Sequence, residues 1–308
     1  MTANESQPEV APPAGTVERW AWDHVLGVDL EAKLCPPPPP RVWESAPPVR
    51  RLARPGRPRE LVVAPHASKT PGPEALRSPA RRAQLVHTFL HHELQAAELM
   101  AWALLAFPET PRAFRGGLVH IALDEVRHIR MYREHLAELG HRFGDFPVRD
   151  WFWERVPEAP TAAHFVAVMG VGFEGANLDH TARFAERFRA AGDERGARLQ
   201  EVVGAEEVPH VRFAMRWLRR FTRGASGAIA AGDGGGSRDA SGARDAGGVR
   251  DARGAGVDFS LWVRHLPPPL SPILMRGKPL DRERRRQSGF SEPFLAELVA
   301  WSERPPGS

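Results

Sequence analysis

The chain has 308 residues, 42% of them hydrophobic, which is enough for one domain of roughly 150 residues with extensions. No apolar run reaches the roughly 18 residues of a membrane span, and the N-terminus has no recognisable export signal. Cys35 is the only cysteine, which excludes an intrachain disulfide and favours a cytoplasmic protein. The net charge is only +4 although the sequence pI is about 9.9, and the arginines are widely spread, so a nucleic-acid surface such as a tRNA site is not favoured.

Residues 1–78 are rich in proline and weakly periodic, which predicts an N-terminal arm that packs on a domain instead of folding alone. Its expected anchors are Trp20, Trp22 and Trp43. Ser78 followed by Pro79 is the pattern of a helix N-cap and first turn, and the string FPETP at 107–111 ends that helix.

Residues 79–222 predict an all-α, ferritin-like four-helix bundle. The short break at 107–111 makes the first two helices an antiparallel pair, and the second helix runs to Gly140. A longer crossover over 141–160 leads to a third helix over 161–189 and a fourth over 194–221.

The last part of the chain has two different compositions. Residues 223–257 consist mostly of Gly, Ala, Arg, Asp and Ser, which predicts a disordered insertion. Residues 258–308 form a C-terminal extension. Its apolar residues at helical spacing predict a short helix docked on the bundle: Phe290, Phe294, Leu298 and Trp301.

Two Glu-x-x-His pairs follow two lone glutamates at separations of 32 and 33 residues. The two copies are Glu93 with Glu125 and His128, and Glu174 with Glu207 and His210. On helical wheels these residues fall on or beside the apolar arcs. Four buried carboxylates require compensating charge, which two divalent ions would supply. The set is typical of a carboxylate-bridged di-iron or di-manganese centre; iron is favoured, and manganese or a mixed pair is the alternative.

Other interpretations of the pattern remain open. A single Glu-x-x-His is common on solvated helix faces, and a bundle could retain these residues while binding one metal or none. Glu98 lies at the edge of its arc, so Glu93 is preferred as the ligand. Glu206 stands four residues before His210 and could replace Glu207, because Pro209 predicts a kink or bulge that changes the facing angle.

Several segments together resemble the uncharacterised ferritin-like family DUF455. They are FLHHELQAAELMAWALLAFP, DEVRHIRMYREHLAELG, GDFPVRDWFWERVP, GFEGANLDH and EEVPHVRF. The resemblance covers residues from about 50 to 222 and the string PLSPILMRG. It implies a ferritin-like fold with a dinuclear site but no established reaction. The same ligand logic relates the pattern more distantly to tRNA hydroxylases, bacterial multicomponent monooxygenases and ribonucleotide reductase small subunits.

Three further residues are candidates for roles beside the metals. Tyr132, the only tyrosine, follows His128 by one turn, a spacing that resembles the radical tyrosine of ribonucleotide reductase small subunits. It is a candidate catalytic residue, and the alternative is a core tyrosine that hydrogen-bonds a ligand carboxylate. Asp124 or Asp179 could accept the second-ring proton of a ligand histidine, and surface salt bridges are the alternative for both.

The leading hypothesis is therefore an oxidoreductase in which two metals, bridged by Glu125 and Glu207, react with O2 or a peroxide and oxidise an unknown substrate. Its reductant is also unknown. A ferroxidase or iron-binding protein without an organic substrate is the alternative, and a tRNA-modifying hydroxylase is a further one. A substrate pocket beside the metals would favour oxidation, and a narrow acidic channel would favour iron transit.

Overall fold

The computed structural model describes residues 10–66, 70–230 and 257–302. Within these ranges the regular structure is helical, which confirms the all-α prediction, and no β-strand forms. Two isolated bridges, Thr16 with Val42 and Val63 with Val148, tie extended parts of the chain together. None of the described helices combines the length and apolar composition that crossing a membrane requires.

The N-terminal arm contains two short helices that the weak periodicity did not predict. Helix α1 (Val17–Leu26) begins at Thr16 and α2 (Leu30–Leu34) begins at Asp29, and each cap side chain accepts a backbone N–H of the first turn. Helix α1 packs on the first long helix of the domain. The three predicted anchors are buried or half-buried against the same core: Trp20, Trp22 and Trp43.

Two long helices follow the arm. Helix α3 (Pro79–Ala106) begins at Ser78 and Pro79 as predicted, although the Ser78 side chain makes no capping hydrogen bond. Helix α4 (Arg112–Glu138) follows after a connection of five residues, 107–111, and packs along α3. Such a short connection requires the two helices to be antiparallel neighbours.

The third predicted helix forms without a break over residues 162–190 but is not α-helical throughout. Helix α5 (Ala162–Phe165) leads into a π-helical segment (Val166–Glu174), which leads into α6 (Gly175–Ala190). The π-helical segment packs closely on α7. A Cβ added at Gly170 would lie 2.3 Å from the Cβ of Ala214, so only glycine fits there. The wider turn changes the facing angle of residues beyond it. A wheel drawn with α-helical spacing therefore places Glu174 at the edge of the apolar arc.

Helix α7 (Glu194–Ala230) is longer than the predicted fourth helix and includes residues 223–230 of the predicted insertion. Residues 231–256 of that insertion lie outside the described residues. Helix α7 is α-helical at Pro209, so of the predicted kink or bulge the bulge does not form, and the π-helical winding lies in the segment that packs on α7.

The described part of the C-terminal extension contains three short α-helices and a 3-10 helix (Pro272–Met275). The α-helices are α8 (Phe259–Arg264), α9 (Arg282–Gln287) and α10 (Glu292–Ala300). Phe294 and Leu298 of α10 are buried in the main core, as their spacing predicts. Arg285 of α9 is also buried and donates to both oxygens of Asp179 on α6, which anchors the extension to the long helices.

The core consists of two apolar clusters at different levels of the long helices. Helix α3 packs on α4, α6 and the π-helical segment pack on α7, and α4 contacts α7. A buried glutamate stands on each long segment near the level at which one cluster gives way to the other. These glutamates are Glu93, Glu125, Glu174 and Glu207. The polar residues therefore form a layer between two apolar clusters.

Candidate metal centre

Four of the predicted ligands meet in the buried polar layer. Glu93 of α3, Glu125 and His128 of α4 and Glu207 of α7 offer ligand atoms that all lie within 4.8 Å of one another. None of the four residues is more than 6% exposed. Carboxylate oxygens and imidazole nitrogens at this separation could hold a metal ion.

Glu125 lies between the two imidazoles. Its Oε2 is 3.2 Å from Nδ1 of His128, and its Oε1 is 3.2 Å from Nδ1 of His210. Glu207 has a similar relation to the same rings, at 3.9 Å from Nδ1 of His128 and 3.1 Å from Nδ1 of His210. Both carboxylates can therefore bridge two positions, one beside each histidine.

The outer nitrogens of the two rings face acids on the opposite helix. Nε2 of His128 is 2.8 Å from Oε2 of Glu206, and Nε2 of His210 is 3.1 Å from Oδ2 of Asp124. Each of these acids directly precedes a central glutamate in the sequence. An imidazole that donates its Nε2–H outward presents the lone pair of Nδ1 to the centre, which is how carboxylates orient metal-ligating histidines.

Glu174 completes the acidic layer and is 4% exposed. Among the described residues, its Oε1 is buried without a hydrogen-bond partner. Asn177, one turn after Glu174, donates through Nδ2 to Oε1 of Glu207 at 3.1 Å. Buried carboxylate oxygens without donors are rare in folded proteins, and a bound cation is one way to satisfy them.

The pKa shifts within the layer also favour a cation at its centre. Burial and the neighbouring charge of Glu125 raise the pKa of Glu93 well above its ordinary value. Burial and the charge of Glu207 do the same to the pKa of Glu174. Burial alone would lower the pKa of His128, but its hydrogen bonds with Glu125 and Glu93 raise it well above the ordinary value. The layer therefore favours positive charge at its centre, supplied by protons or by a metal.

The pKa of His210 on α7 is raised and the pKa of Glu125 on α4 is lowered by their contacts with each other and with neighbouring groups. Burial would lower the pKa of His210, but its hydrogen bonds with Asp124 and Glu125 raise it well above the ordinary value. Burial would raise the pKa of Glu125, but hydrogen bonds with both histidines lower it well below the ordinary value. The two histidines therefore favour the charged form of Glu125.

Three other predicted residues take different positions. Glu206 faces outward and pairs with Arg127 and His128, so the structure brings Glu207, and not Glu206, into the layer. Asp124 contacts a candidate ligand histidine, as its position in the sequence suggested. Asp179 does not, because its oxygens bind Arg285 and the backbone N–H groups of Gly277 and Asp281; its proposed contact with a histidine was wrong.

Tyr132 is buried, and its hydroxyl accepts a hydrogen bond of 2.8 Å from Nε2 of Gln200. Burial and the charge of Glu93 raise the pKa of Tyr132 well above its ordinary value. The phenol is therefore in its protonated form near neutral pH, held at one end by Gln200.

A cavity of about 370 Å³ adjoins the layer. Glu93, Glu174 and Tyr132 stand in its wall. Most of the remaining wall is apolar or aromatic, and the aromatic residues are Phe89, Trp151, Phe152, Phe173 and Phe184. A small organic molecule in this cavity would lie against the acidic layer.

Sequence reasoning did not identify Gln200 and Asn177, and it considered Glu206 only as a substitute ligand. The pairs Asp124-Glu125 and Glu206-Glu207 could have predicted the outer acids, since each pair places an outward-facing acid directly before a central one. No local pattern marks Gln200 or Asn177, because their partners lie 68 and 30 residues away in the chain.

Comparisons with known proteins give a family but no activity. The DUF455 family, described as "Protein of unknown function", matches residues 21–231. An uncharacterized protein of Haemophilus influenzae (strain ATCC 51907 / DSM 11121 / KW20 / Rd) is 25% identical over 152 residues, which are 46% of this chain and 52% of that protein. The chain thus spans about half the length of the curated relative that it matches. No solved structure matches the chain.

Proposed function

Because the chain belongs to the DUF455 family, whose function is unknown, we propose from its own residues that it is a di-metal oxidoreductase that uses O2 or a peroxide to oxidise an organic substrate. In this proposal the long helices form a ferritin-like four-helix bundle around the acidic layer. Iron is the favoured metal, and manganese or a mixed pair is the alternative.

The residues present fit two divalent ions. Glu125 and Glu207 would bridge them, because each carboxylate lies between the two imidazoles. Glu93 with His128 would complete one metal position, and Glu174 with His210 the other. Four carboxylates and two divalent ions balance in charge, and the buried Oε1 of Glu174, which has no donor among the described residues, would gain a partner.

The observation that carries the proposal is the cavity beside the layer. Its aromatic walls suit an organic molecule, and Glu93 and Glu174 border it directly. Iron transit alone would be served by a narrow polar passage lined by acids. When bound, the metal pair would supply the electron transfer to O2 or peroxide. The chain's own residues would position the ligands through Asp124 and Glu206 and would separate the reaction from bulk water by the two apolar clusters.

The test is elemental analysis of the purified protein after anaerobic loading with iron or manganese. We expect about two ions per chain. Glu125→Ala and His210→Ala should lose them, because each removes a central ligand. The matched control is Glu201→Gln, since this exposed residue of α7, the helix of His210, forms an ion pair with Arg189 and none with the acidic layer in the described part of the chain.

Reaction of the loaded protein with O2 then distinguishes oxidation of an organic substrate from oxidation of iron. Substoichiometric metal after loading would overturn the proposal. Continued oxidation of added Fe(II), well beyond the bound pair and without consumption of an organic substrate, would favour the ferroxidase alternative instead.

A further inference from the structure

We propose that the cavity beside the acidic layer binds an organic acid, whose anionic head lies at Arg183 and whose apolar body lies against the aromatic wall. This inference rests on the proposed function, because it names the substrate class of the same site. The supporting observation is that Arg183, in the wall of a mainly apolar cavity, forms no ion pair with an acid in the described part of the chain.

Arg183 of α6 lines the cavity, and its Nε is buried without a hydrogen-bond partner. It forms no ion pair in the part of the chain that the structure describes. The other arginine of the cavity wall, Arg149, is bound by Glu154 at 2.8 Å. The Arg183 side chain is half-buried, with its guanidinium carbon 5.1 Å from the centroid of the Phe184 ring, so its charge has an aromatic neighbour but, among the described residues, no paired anion. Its planar fork matches a carboxylate or a phosphate.

The arrangement of α6 explains why Arg183 remains unpaired. Asp179 stands four residues before it, at the spacing at which helical ion pairs ordinarily form. Arg285 of the C-terminal extension occupies both oxygens of Asp179 instead. The fold therefore removes the natural partner of Arg183 and leaves its charge facing the cavity.

His180 lies one turn before Arg183 and also lines the cavity. Burial and the charge of Arg183 lower the pKa of His180 to about 4, so its ring is neutral near pH 7. A neutral imidazole can donate one hydrogen bond to an anionic head without adding charge. The head group would thus be held by the charge of Arg183 and oriented by a neighbouring donor.

The aromatic residues define where the body of the ligand lies. Phe89 and Phe184 meet edge to face with ring centroids 4.9 Å apart, and Phe152 stacks on Phe173 at 5.0 Å. Arg183 is nine residues beyond Glu174, or roughly 14 Å along the helix axis. Helical side chains lean toward the N-terminus, and the arginine side chain is longer than the glutamate side chain, which shortens this span. A compact acid with an aromatic or short alkyl body therefore reaches from Arg183 to the acidic layer.

The experiment measures binding by isothermal titration calorimetry on the full-length protein as purified. Three probes share one body and differ in the head: phenylbutyrate, phenylbutyl phosphate and phenylbutanol. We expect at least one anion to bind about tenfold more tightly than the alcohol, since a charge-assisted hydrogen bond is worth that much or more. The tighter anion then identifies the head group.

Arg183→Gln should remove the preference for the anion, and Arg183→Lys should keep part of it. The matched control is Arg187→Gln, because Arg187 lies one turn further on α6 and also contacts the ring of Phe184, at 5.4 Å, but does not line the cavity. That control should keep the full preference. Equal binding of acid and alcohol by the wild type, or an anion preference that survives in Arg183→Gln, would overturn the inference. Because the assay depends on Arg183 and not on turnover, the metal proposal can stand if it fails, and the reverse also holds.

Discussion

Two buried glutamates of α3, Glu93 and Glu98, stand five residues apart and have opposite surroundings. Glu98 is fully buried among cations of the chain. Glu93 is buried among other acids. The difference separates a charge that arginine and lysine neutralise from a group of acids that is balanced by histidines and protons or by a bound metal.

The network around Glu98 is complete. Arg57 donates to both of its oxygens at 2.6 and 3.0 Å, Lys33 donates at 2.6 Å, and the indole of Trp153 donates at 2.8 Å. Burial would raise the pKa of Glu98, but the charges of Arg57 and Lys33 outweigh burial and lower it to about 2. Both cations belong to the N-terminal arm, so the network also fastens the arm to α3.

The acidic layer has no such compensation. In the described part of the chain, no lysine or arginine forms an ion pair with Glu93, Glu125, Glu174 or Glu207. Arg127 reaches only Glu206, on the outer side of His128. Four buried acids against two histidines leave an excess of acidic groups, which is unfavourable for stability and indicates that the layer serves binding.

The largest expected effect tests this difference directly. Glu98→Gln should lower the free energy of unfolding by about 3 to 5 kcal/mol, because it leaves Lys33 and Arg57 buried without an anion. Glu93→Gln in metal-stripped protein should change it by less than about 1 kcal/mol or raise it, because burial and the charge of Glu125 already disfavour the charged form of Glu93, as its raised pKa indicates. Urea denaturation of both variants measures the two values. Similar large losses in both would mean that the acidic layer also stabilises the fold, and the comparison would fail.

A second prediction concerns pH and again uses Glu98. Its pKa is lowered in the folded protein to about 2, from about 4.3 when unfolded. Stabilisation by the charged carboxylate is therefore fully present above about pH 5 and is lost as the pH falls toward 2; it amounts to at most about 3 kcal/mol. The stability difference between wild type and Glu98→Gln should shrink over this range. A difference that is constant between pH 6 and pH 3 would contradict the low pKa.

The contrast also shows what the sequence could predict. Helical spacing was sufficient to place Glu93, Glu125 and Glu207 inside, because these residues follow regular α-helical turns. It placed Glu174 less well, because the π-helical segment before it changes the facing angle. Helical spacing placed Glu98 only at the edge of the apolar arc. It could not predict that Glu98 is buried, because the cations that surround Glu98 come from the N-terminal arm.

The arm was the hardest part to predict, because proline obscures helical periodicity there and its contacts are long-range. Lys33 and Arg57 precede Glu98 by 65 and 41 residues. The caps Thr16 and Asp29 were local signals for α1 and α2. Nothing local indicates that Arg285 of the C-terminal extension would occupy Asp179, which lies 106 residues earlier.

A third, smaller effect concerns the acids that hold the outer sides of the two histidines. Asp124→Asn and Glu206→Gln should each weaken metal binding about 10- to 100-fold without abolishing it, because the imidazoles lose their orienting carboxylates. Competition with a metal chelator measures the affinity, with Glu201→Gln as the control. Unchanged affinity in both variants would show that the layer binds metal without its outer acids. Complete loss would indicate that Asp124 or Glu206 is itself a ligand.

The smallest effect on stability is expected at Tyr132. Its substitution tests whether residues beside the acidic layer, like the layer itself, contribute more to the reaction than to the stability of the fold. Tyr132→Phe removes one hydrogen bond, from Gln200, and should cost about 1 kcal/mol while the metal content stays the same. Gln200→Leu removes the same hydrogen bond but keeps the hydroxyl, so it is the matched control. Loss of substrate oxidation in Tyr132→Phe but not in Gln200→Leu would assign the reaction to the hydroxyl itself. Retained oxidation in both would leave Tyr132 as a core residue, placed by packing against Phe89.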